Sequence, residues 1–468
     1  MTQSKLVSAS RTKNARTANN AITHSTSLSN CVDLFFIAGA SRNMSENDII
    51  SMFEGARSED IQLAYKILFW ARDIRGGAGE RRFFRVIFDH VMANYRKEFD
   101  KLYLHVPEYG RWDDLFWNPS LALRVQSFLK LNLDKQDKLL AKWLPRKGVV
   151  ARLLRDNWNM SPKQYRKTIS TLSETVEQLM CDKQWKEIEY SHVPSVAMNK
   201  YRKAFFRNDE TRFRSYLGEV EEGSKKINAS AIFPHTLFQA FERGEDYQSI
   251  NVQWKALPNY MEGSNERILP VCDVSGSMMG IPMDVSVSLG VYISERNEGI
   301  FKDAFVTFSG SPTMQYLKGN TCSRFNQLRK ADWQMNTNLQ ATFNLILGKA
   351  LENNLSEEDM PTKLLIISDM EFDQATSTGG WYSKPEPTNL EAIKDKYRRT
   401  GYKMPEIVFW NVNGRMGNSP ATFNEQGIGL VSGFSPSVLK GILKGNITNP
   451  EYLMMEIIGS ERYDPIEV

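Results

Sequence analysis

The chain has 468 residues, 41% hydrophobic and 24% charged, with a formal net charge of +4, a composition typical of a soluble globular protein. This length allows roughly two to four domains, and the absence of an apolar run of about 18 residues excludes a membrane-spanning helix. The polar N-terminus predicts no secretory signal, and the four cysteines and five histidines show no metal-binding spacing. We therefore expect a cytoplasmic protein without a membrane partner, located in the host cytoplasm if a virus encodes it.

Charge is distributed unevenly along the chain. Residues 1–250 contain 39 basic and 30 acidic residues, a net charge of +9, whereas residues 251–468 contain 20 and 25, a net charge of −5. A basic half joined to an acidic half indicates a polyanion partner for the first half. A surface charged only for solubility gives the same excess, so composition leaves both interpretations open.

The first half has a helical hydrophobic period. Residues 1–30 are polar and basic, which predicts a flexible arm. From residue 31 to about 250 apolar residues recur at helical spacing, and Ser161-Pro162 with Gln164 is a strong helix-start signal. Further helices are predicted over residues 195–206, 209–221 and 234–242. Helix pairs joined by short breaks indicate a HEAT-like α-solenoid, with an unrelated helical bundle as the alternative.

The second half, residues 262–460, alternates strands with helices. Strands are predicted over residues 268–272, 304–308, 363–369, 407–413 and 428–432, and amphipathic helices over 283–295, 338–353, 389–399 and 435–444. This alternation, with continuously apolar strands, is typical of a mostly parallel sheet covered on both faces. The predicted fold class is therefore multidomain α plus α/β, with a doubly wound, Rossmann-like second domain.

Oxygen-bearing side chains follow three of these elements. Asp273, Ser275 and Ser277 come directly after the first strand, Thr337 lies at a helix start, and Asp369 ends a later strand. Because parallel strands share one carboxyl edge, we expect the five side chains to converge there. Two carboxylates and three hydroxyls suit Mg²⁺ or another divalent cation. Taken singly, Asp273–Ser277 is equally well explained as a Ser-rich turn that caps the next helix, and Thr337 can be explained as a helix cap. Three loops in this order favour a metal site.

The Asp-x-Ser-x-Ser motif, with the Thr and the second Asp in this order, resembles the metal-ion-dependent adhesion site (MIDAS) of von Willebrand factor A domains. The resemblance covers residues 262–460. It implies that the three hydroxyls contact Mg²⁺, that the aspartates act partly through water, and that an acidic ligand completes the coordination. Asn338 and Met370 depart from the pattern, in which an acidic residue and a glycine are common.

The first half resembles the TROVE module of Ro ribonucleoproteins over Ile74–Arg82, Gly110–Leu115 and Lys142–Lys147. The order of the two modules is the same, and residues 185–197 and 368–373 look closer to an uncharacterised sister family found in phages, large viruses, bacteria and plants. Ro proteins form a closed helical ring that binds small structured RNAs and RNA ends. The resemblance implies a TROVE-like helical-repeat domain over 31–250 that binds RNA, and it leaves both an open solenoid and a closed ring as alternatives.

Basic residues in the helical half are the candidate RNA contacts, because Lys and Arg supply the sequence-independent part of phosphate binding. The candidates are Arg72, Arg75, Arg81, Arg82, Arg85, Arg111, Lys142, Arg146, Lys147, Arg152 and Arg155. For Asp73, Arg75, Glu80 and Arg82 an ion-pair network between adjacent helices is an equal alternative.

The leading hypothesis is a non-enzymatic RNA-binding scaffold. Its helical module binds structured or single-stranded RNA, and its A domain binds Mg²⁺ and, through the metal, a carboxylate of a protein ligand. The alternative is a metal-dependent protein–protein interaction module without RNA binding. A metal-dependent nuclease or ATPase is disfavoured, because the expected ligands are largely neutral hydroxyls and the sequence shows no general base or Walker pattern.

Overall fold

The computed structural model describes residues 14–173, 175–229, 231–307, 312–330, 337–373 and 388–468. Helices make up most of the first half of these residues, and a six-stranded sheet with covering helices makes up the second half. The prediction of a helical region followed by an α/β domain is therefore confirmed. Among the described residues there is no helix with the length and apolar character needed to cross a membrane.

The N-terminal segment 14–30 is folded onto the α/β domain. Its two short strands, β1 (Ala15–Arg16) and β2 (Ile22–Thr23), pair antiparallel. The Thr17 hydroxyl donates to the carbonyl of Phe372 at 2.7 Å, and residues 24 and 419 exchange backbone hydrogen bonds. The prediction of a flexible arm over 1–30 is therefore wrong for residues 14–30, whose polar groups pair with distant loops. Residues 1–13 lie outside the described residues.

The helices of this region are 4 to 27 residues long, and polar side chains cap several of them. Ser161 and Gln164 form the predicted reciprocal capping box. The helix Ser195–Glu221 bends at Asp209, where the backbone is not helical. That bend lies between the two predicted helices 195–206 and 209–221. The helices are α1 (Asn30–Ala38), α2 (Glu46–Glu59), α3 (Ile61–Arg72), α4 (Arg81–Asn94), α5 (Arg96–Leu102), α6 (Val106–Tyr109), α7 (Pro119–Asp134), α8 (Lys138–Trp143), α9 (Val149–Asn157), α10 (Pro162–Leu172), α11 (Val176–Cys181), α12 (Ser195–Glu221), α13 (Pro234–Glu242) and α14 (Tyr247–Lys255).

The sheet of the α/β domain has the order β5-β4-β3-β6-β7-β8 and is parallel except for the edge strand β5. The central strands are buried along their whole length, as expected of strands covered on both faces. The strands are β3 (Ile268–Cys272), β4 (Ala304–Thr307), β5 (Met314–Tyr316), β6 (Lys363–Ser368), β7 (Glu406–Asn411) and β8 (Ile428–Ser432).

Helices connect and cover these strands. The predicted helices over 283–295, 338–353 and 389–399 are confirmed within two residues at each end, whereas 435–444 contains only short helical turns. The helices are α15 (Ile281–Arg296), α16 (Thr321–Arg329), α17 (Leu339–Asn353), α18 (Asn389–Thr400), α19 (Leu439–Ile442) and α20 (Pro450–Ile458).

Both ends of the helical region pack against the α/β domain. At its start, the Gly39 N–H donates to Ser432 Oγ at 3.0 Å, so that α1 lies beside the end of β8. At its end, Gln239 of α13 donates to Asp284 of α15 at 2.7 Å. Residues of both regions share one hydrophobic core, and a second, smaller core lies around α12. The path of the helices therefore leaves and rejoins the same domain.

A buried carboxylate links the two regions. Asp73, at the end of α3, has no exposed surface and accepts hydrogen bonds from Arg462 Nη2 at 2.7 Å and from the Tyr463 hydroxyl at 3.1 Å. The Arg75 N–H donates to the same carboxylate at 2.9 Å. The hydrogen bond to Asp73, together with the negative charge of that carboxylate, raises the pKa of Arg462 above its usual value although burial acts in the opposite direction.

Candidate metal centre at the sheet edge

The strand order reverses between β3 and β6, because the chain leaves β3 toward β4 and later places β6 on its other side. Open α/β sheets bind ligands outside the carboxyl ends of the strands at such a reversal. Asp273 directly follows β3, and its N–H donates to the Ile367 carbonyl of β6 at 2.9 Å. Ser368 ends β6 and Asp369 follows it. The two predicted aspartates therefore flank the reversal point.

Asp273 is held rigidly and has no exposed surface. Its Oδ1 accepts from the Ser275 N–H at 2.9 Å, and its Oδ2 accepts from the Ser368 hydroxyl at 2.6 Å. Burial raises the pKa of Asp273 to about 6, with a further contribution from the negative charge of Asp369, although the hydrogen bonds act in the opposite direction. Asp273 and Asp369 are two buried carboxylates that interact with each other, and such a pair favours a bound cation.

The two serines of the motif lie side by side. Ser275 is buried and precedes a short 3₁₀ helix, Gly276–Met278, which contains the exposed Ser277. The two hydroxyl oxygens are 3.1 Å apart. The turn therefore presents two neutral oxygen ligands together, one of them accessible to solvent.

Thr337 contributes a buried hydroxyl from a third loop. Thr337 is 1% exposed, and its Oγ1 has no hydrogen-bond partner among the described residues. Its carbonyl accepts from the Asp373 N–H at 3.0 Å, which ties this loop to the one that follows β6. The helix-cap explanation for Thr337 is wrong, because Asn338 caps α17 by accepting from the Ala341 N–H at 2.9 Å.

Asp369 is buried and faces an arginine from a fourth loop. Arg415 Nη2 is 3.2 Å from Asp369 Oδ2, and Arg415 Nη1 is 3.5 Å from Glu371 Oε1. Between the two carboxylates, Met370 has a left-handed backbone with φ +66°, a conformation that glycine adopts without strain. The departure from glycine at this position therefore places a bulky residue in a costly conformation beside the site.

The predicted oxygens fit a hard divalent cation. Hydrogen bonds and the Asp273–Asp369 interaction connect the three loops. The buried Thr337 hydroxyl has no partner in the described part of the chain, as expected of a ligand position. No group of three or more His, Cys, Asp or Glu side chains with metal-binding geometry occurs in the described part of the chain. The candidate centre is of a different kind, because it would combine two aspartates with three hydroxyls.

Two residues of this centre, Ser368 and Arg415, were not predicted from the sequence, and for Glu371 the sequence allows both a role in tuning the site and a merely solvated side chain. Ser368 immediately precedes Asp369, so its place at the end of β6 was a usable signal. Glu371 is 5% exposed and accepts from the Ala18 N–H of the N-terminal segment. No motif marks Arg415, although its position shortly after β7 places it at the same sheet edge.

Part of the predicted RNA site is buried in ion pairs. Arg72 is 1% exposed, and its Nε donates to Asp114 Oδ2 at 2.7 Å. Arg85 Nε donates to Asp114 Oδ1 at 2.9 Å, and Arg81 Nη1 lies 3.3 Å from Asp113. The prediction of phosphate contacts is therefore wrong for Arg72, because a fully buried Asp114 requires these cations as partners.

The remaining basic candidates differ in how they are engaged. Arg75 and Arg82 donate to backbone carbonyls, and Arg155 pairs with a neighbouring acidic residue. Lys142 lies 4.0 Å from an acidic side chain, and the guanidinium of Arg111 lies 5.1 Å from the ring centre of Trp143. The exposed candidates beyond α8 are Arg146, Lys147 and Arg152.

The alternative interpretation of residues 73–82, an ion-pair network between helices, is confirmed in part, although the partners differ from those expected. Asp73 pairs with Arg462, and Glu80 pairs with Arg42 at 2.8 Å. Arg82 lies at 4.0 Å from Glu46, the limit of an ion pair. The two acidic residues thus hold helices together, but through arginines that lie far away in the sequence.

Comparisons with known proteins match both halves of the chain. Residues 267–462 match a domain of unknown function (DUF7788), and residues 17–94 and 147–265 match another domain of unknown function (DUF2828). The chain is 28% identical over 513 aligned residues to the uncharacterized protein L728 of Acanthamoeba polyphaga mimivirus, and the alignment covers 96% of this chain and 88% of the viral protein. The two matched domains meet between α14 and β3.

Proposed function

We propose that this protein is a non-enzymatic scaffold whose α/β domain, of the von Willebrand A type, binds a divalent cation and through it an acidic protein ligand. The buried Thr337 hydroxyl carries this proposal, since it has no partner among the described residues and lies on a loop tied to that of Asp369. Mg²⁺ is the expected cation. The residues that would hold it are Asp273, Ser275, Ser277, Thr337 and Asp369.

The residues of the centre support binding and not catalysis. When bound, the cation would supply an electrophilic centre that accepts a carboxylate oxygen of the ligand. Asp273 is engaged by the Ser275 N–H and the Ser368 hydroxyl, and Glu371 by the Ala18 N–H and Arg415. The carboxylates that would have to act as a general base are thus already engaged as hydrogen-bond acceptors or ion-pair partners.

Calorimetric titration with Mg²⁺, followed by pull-downs with and without EDTA, tests the metal centre. We expect Mg²⁺ binding and an EDTA-sensitive protein partner for the wild type, with both lost in Asp273→Asn. Asp156→Asn, an exposed change in the helical region, is the matched control and should retain both. Mg²⁺ binding that survives in Asp273→Asn would refute this assignment of the ligands.

We also propose RNA binding by the helical region as a second function, with a HEAT-like, Ro-like arrangement. Arg146, Lys147 and Arg152 support it, because they are exposed and follow one another from the end of α8 into α9. A helical path that begins and ends on the α/β domain is compatible with a closed ring. The expected partners are small structured RNA or RNA ends, and the four free thiols fit a reducing, cytoplasmic location.

Filter binding of RNA across a salt series separates this proposal from the protein-only alternative. Replacing Arg146, Lys147 and Arg152 by alanine should reduce the salt slope by about 2, since each lost phosphate contact removes about 0.7–0.9. The control is alanine at Arg398 and Arg399, two exposed residues of α18. Binding that is absent or independent of salt in the wild type would favour the protein-only alternative.

A further inference from the structure

Arg415 reaches from solvent to two buried carboxylates. Its side chain is 40% exposed, whereas the side chains of Asp369 and Glu371 are 0% and 6% exposed. Among the described residues no other cationic side chain forms an ion pair with either carboxylate. Without this guanidinium, two neighbouring carboxylates would be buried with no positive charge beside them, which is strongly unfavourable.

The loop that carries Arg415 is fixed on both sides. Before it, the Gly414 N–H donates to the Ala40 carbonyl at 2.9 Å. After it, the Asn418 side chain donates to the Met370 carbonyl at 2.9 Å, and the Ser419 N–H donates to the His24 carbonyl at 2.8 Å. The Arg415 side chain can therefore leave Asp369 by a rotamer change alone, which is fast for an exposed side chain.

A guanidinium and a divalent cation are alternative partners for Asp369. Both neutralise the same carboxylate, and their like charges repel each other at close range. When Asp369 binds a cation, Arg415 loses its ion-pair partner at Asp369 Oδ2. Its loop is anchored, so Arg415 stays beside the metal centre. Its planar fork of N–H donors matches the two oxygens of a carboxylate better than an ammonium group does.

We propose that Arg415 is a counter-ion of the metal centre and that the divalent cation replaces it at Asp369 when the metal binds. Arg415 neutralises Asp369 and Glu371 in the metal-free protein, and it binds the second carboxylate oxygen of the acidic ligand in the loaded one. This inference rests on the proposed function of the centre and specifies the ligand, which is a carboxylate and not a neutral amide.

Calorimetric titration of the full chain with MgCl₂ at pH 8, with and without sodium acetate as a carboxylate probe, tests both roles. Arg415→Gln should bind Mg²⁺ about fivefold more tightly, because a half-exposed competing ion pair is gone. Arg415→Lys keeps the charge, so its Mg²⁺ affinity without acetate should stay near that of the wild type. Arg398→Gln, in an exposed pair on α18, is the matched control and should behave as the wild type does.

Acetate and melting curves provide the second readout. Acetate should raise the Mg²⁺ affinity of the wild type about threefold through reciprocal coupling, and it should not do so in Arg415→Gln. In EDTA the same variant should melt below the wild type, because Asp369 and Glu371 lose their counter-ion, and Mg²⁺ should remove that difference.

Each result decides between distinct conclusions. Unchanged or weaker Mg²⁺ binding by Arg415→Gln, with normal binding by the wild type, would overturn the counter-ion role and leave the metal centre standing. An equal acetate effect in Arg415→Gln and the wild type would overturn the ligand-binding role. A wild type that binds no Mg²⁺ would refute the proposed function and this inference with it.

Discussion

Replacing Thr337 by valine should stabilise the metal-free protein. The Thr337 Oγ1 is buried without a partner among the described residues, and burying an unpaired hydroxyl costs about 1–3 kcal/mol. Valine has nearly the same shape and no hydroxyl, so we expect the free energy of unfolding in EDTA to rise by about 1 kcal/mol or more. For a folding unit of 150–250 residues, each kcal/mol corresponds to about 2–4 °C in melting temperature.

The same substitution should remove most of the stabilisation by Mg²⁺. A ligand present at one hundred times its Kd stabilises the folded state by about 2.7 kcal/mol. Valine provides no oxygen for the cation, so the variant should gain much less on Mg²⁺ addition than the wild type does. Differential scanning fluorimetry in EDTA and in a series of MgCl₂ concentrations measures both effects on the same samples.

Thr342→Val is the matched control. Thr342 lies in α17 and also has a buried hydroxyl without a partner among the described residues, but it is not a predicted ligand. Thr342→Val should therefore raise the melting temperature in EDTA and keep the full response of the melting temperature to Mg²⁺. A Thr337→Val variant that is destabilised in EDTA, or that keeps the full response to Mg²⁺, would refute the reasoning.

Three further outcomes rest on buried contacts. Asp73→Asn should cost about 2–4 kcal/mol in urea unfolding, because Arg462 loses its carboxylate partner, and a loss below about 1 kcal/mol would contradict this role. Burial lowers the pKa of His235 to about 3, so below about pH 6.5 the unfolded chain binds a proton that the folded chain does not. As the pH falls through this range, the free energy of unfolding should decrease by about 1.4 kcal/mol per pH unit because of this group. His235→Gln should flatten this dependence of stability on pH between about pH 6.5 and 4, and an unchanged dependence would argue against a buried neutral imidazole. A Cβ on Gly39 would lie 2.7 Å from the backbone after β8, whereas one on Gly348 meets no atom of the described residues within 4 Å. Gly39→Ala should therefore lower the melting temperature and Gly348→Ala should not, and equal effects would contradict the close approach.

The buried strands could be read from the sequence because their patterns are unambiguous. β3 and β8 have the predicted bounds, since a strand covered on both faces must be apolar throughout. The edge strand β5 was missed, because its three residues are partly exposed and show no period. The helix α16 was missed for a similar reason, since only a few of its residues are buried among polar ones.

The candidate metal ligands could be found because strand ends have predictable places. Contacts that depend on tertiary packing could not be found in this way. The ion pair between Arg415 and Asp369 joins loops 46 residues apart, and nothing in the local sequence indicates it. Arg72 illustrates the opposite error, because it lies four residues after Leu68 on the buried stripe of α3, a signal that outweighs its basic character.

The two predicted functional regions differ in the partners of the buried residues that were predicted to bind ligands. In the helical half, the buried Arg72 meets a carboxylate, as a purely structural residue must. At the sheet edge, Thr337 leaves a buried hydroxyl without a partner among the described residues, and Met370 adopts a left-handed backbone. Locally unfavourable features of this kind persist at functional sites when the surrounding fold supports them. A bound cation would satisfy the Thr337 hydroxyl, whereas Arg72 already has its counter-ion in Asp114, so we expect ligand binding at the sheet edge and not at Arg72.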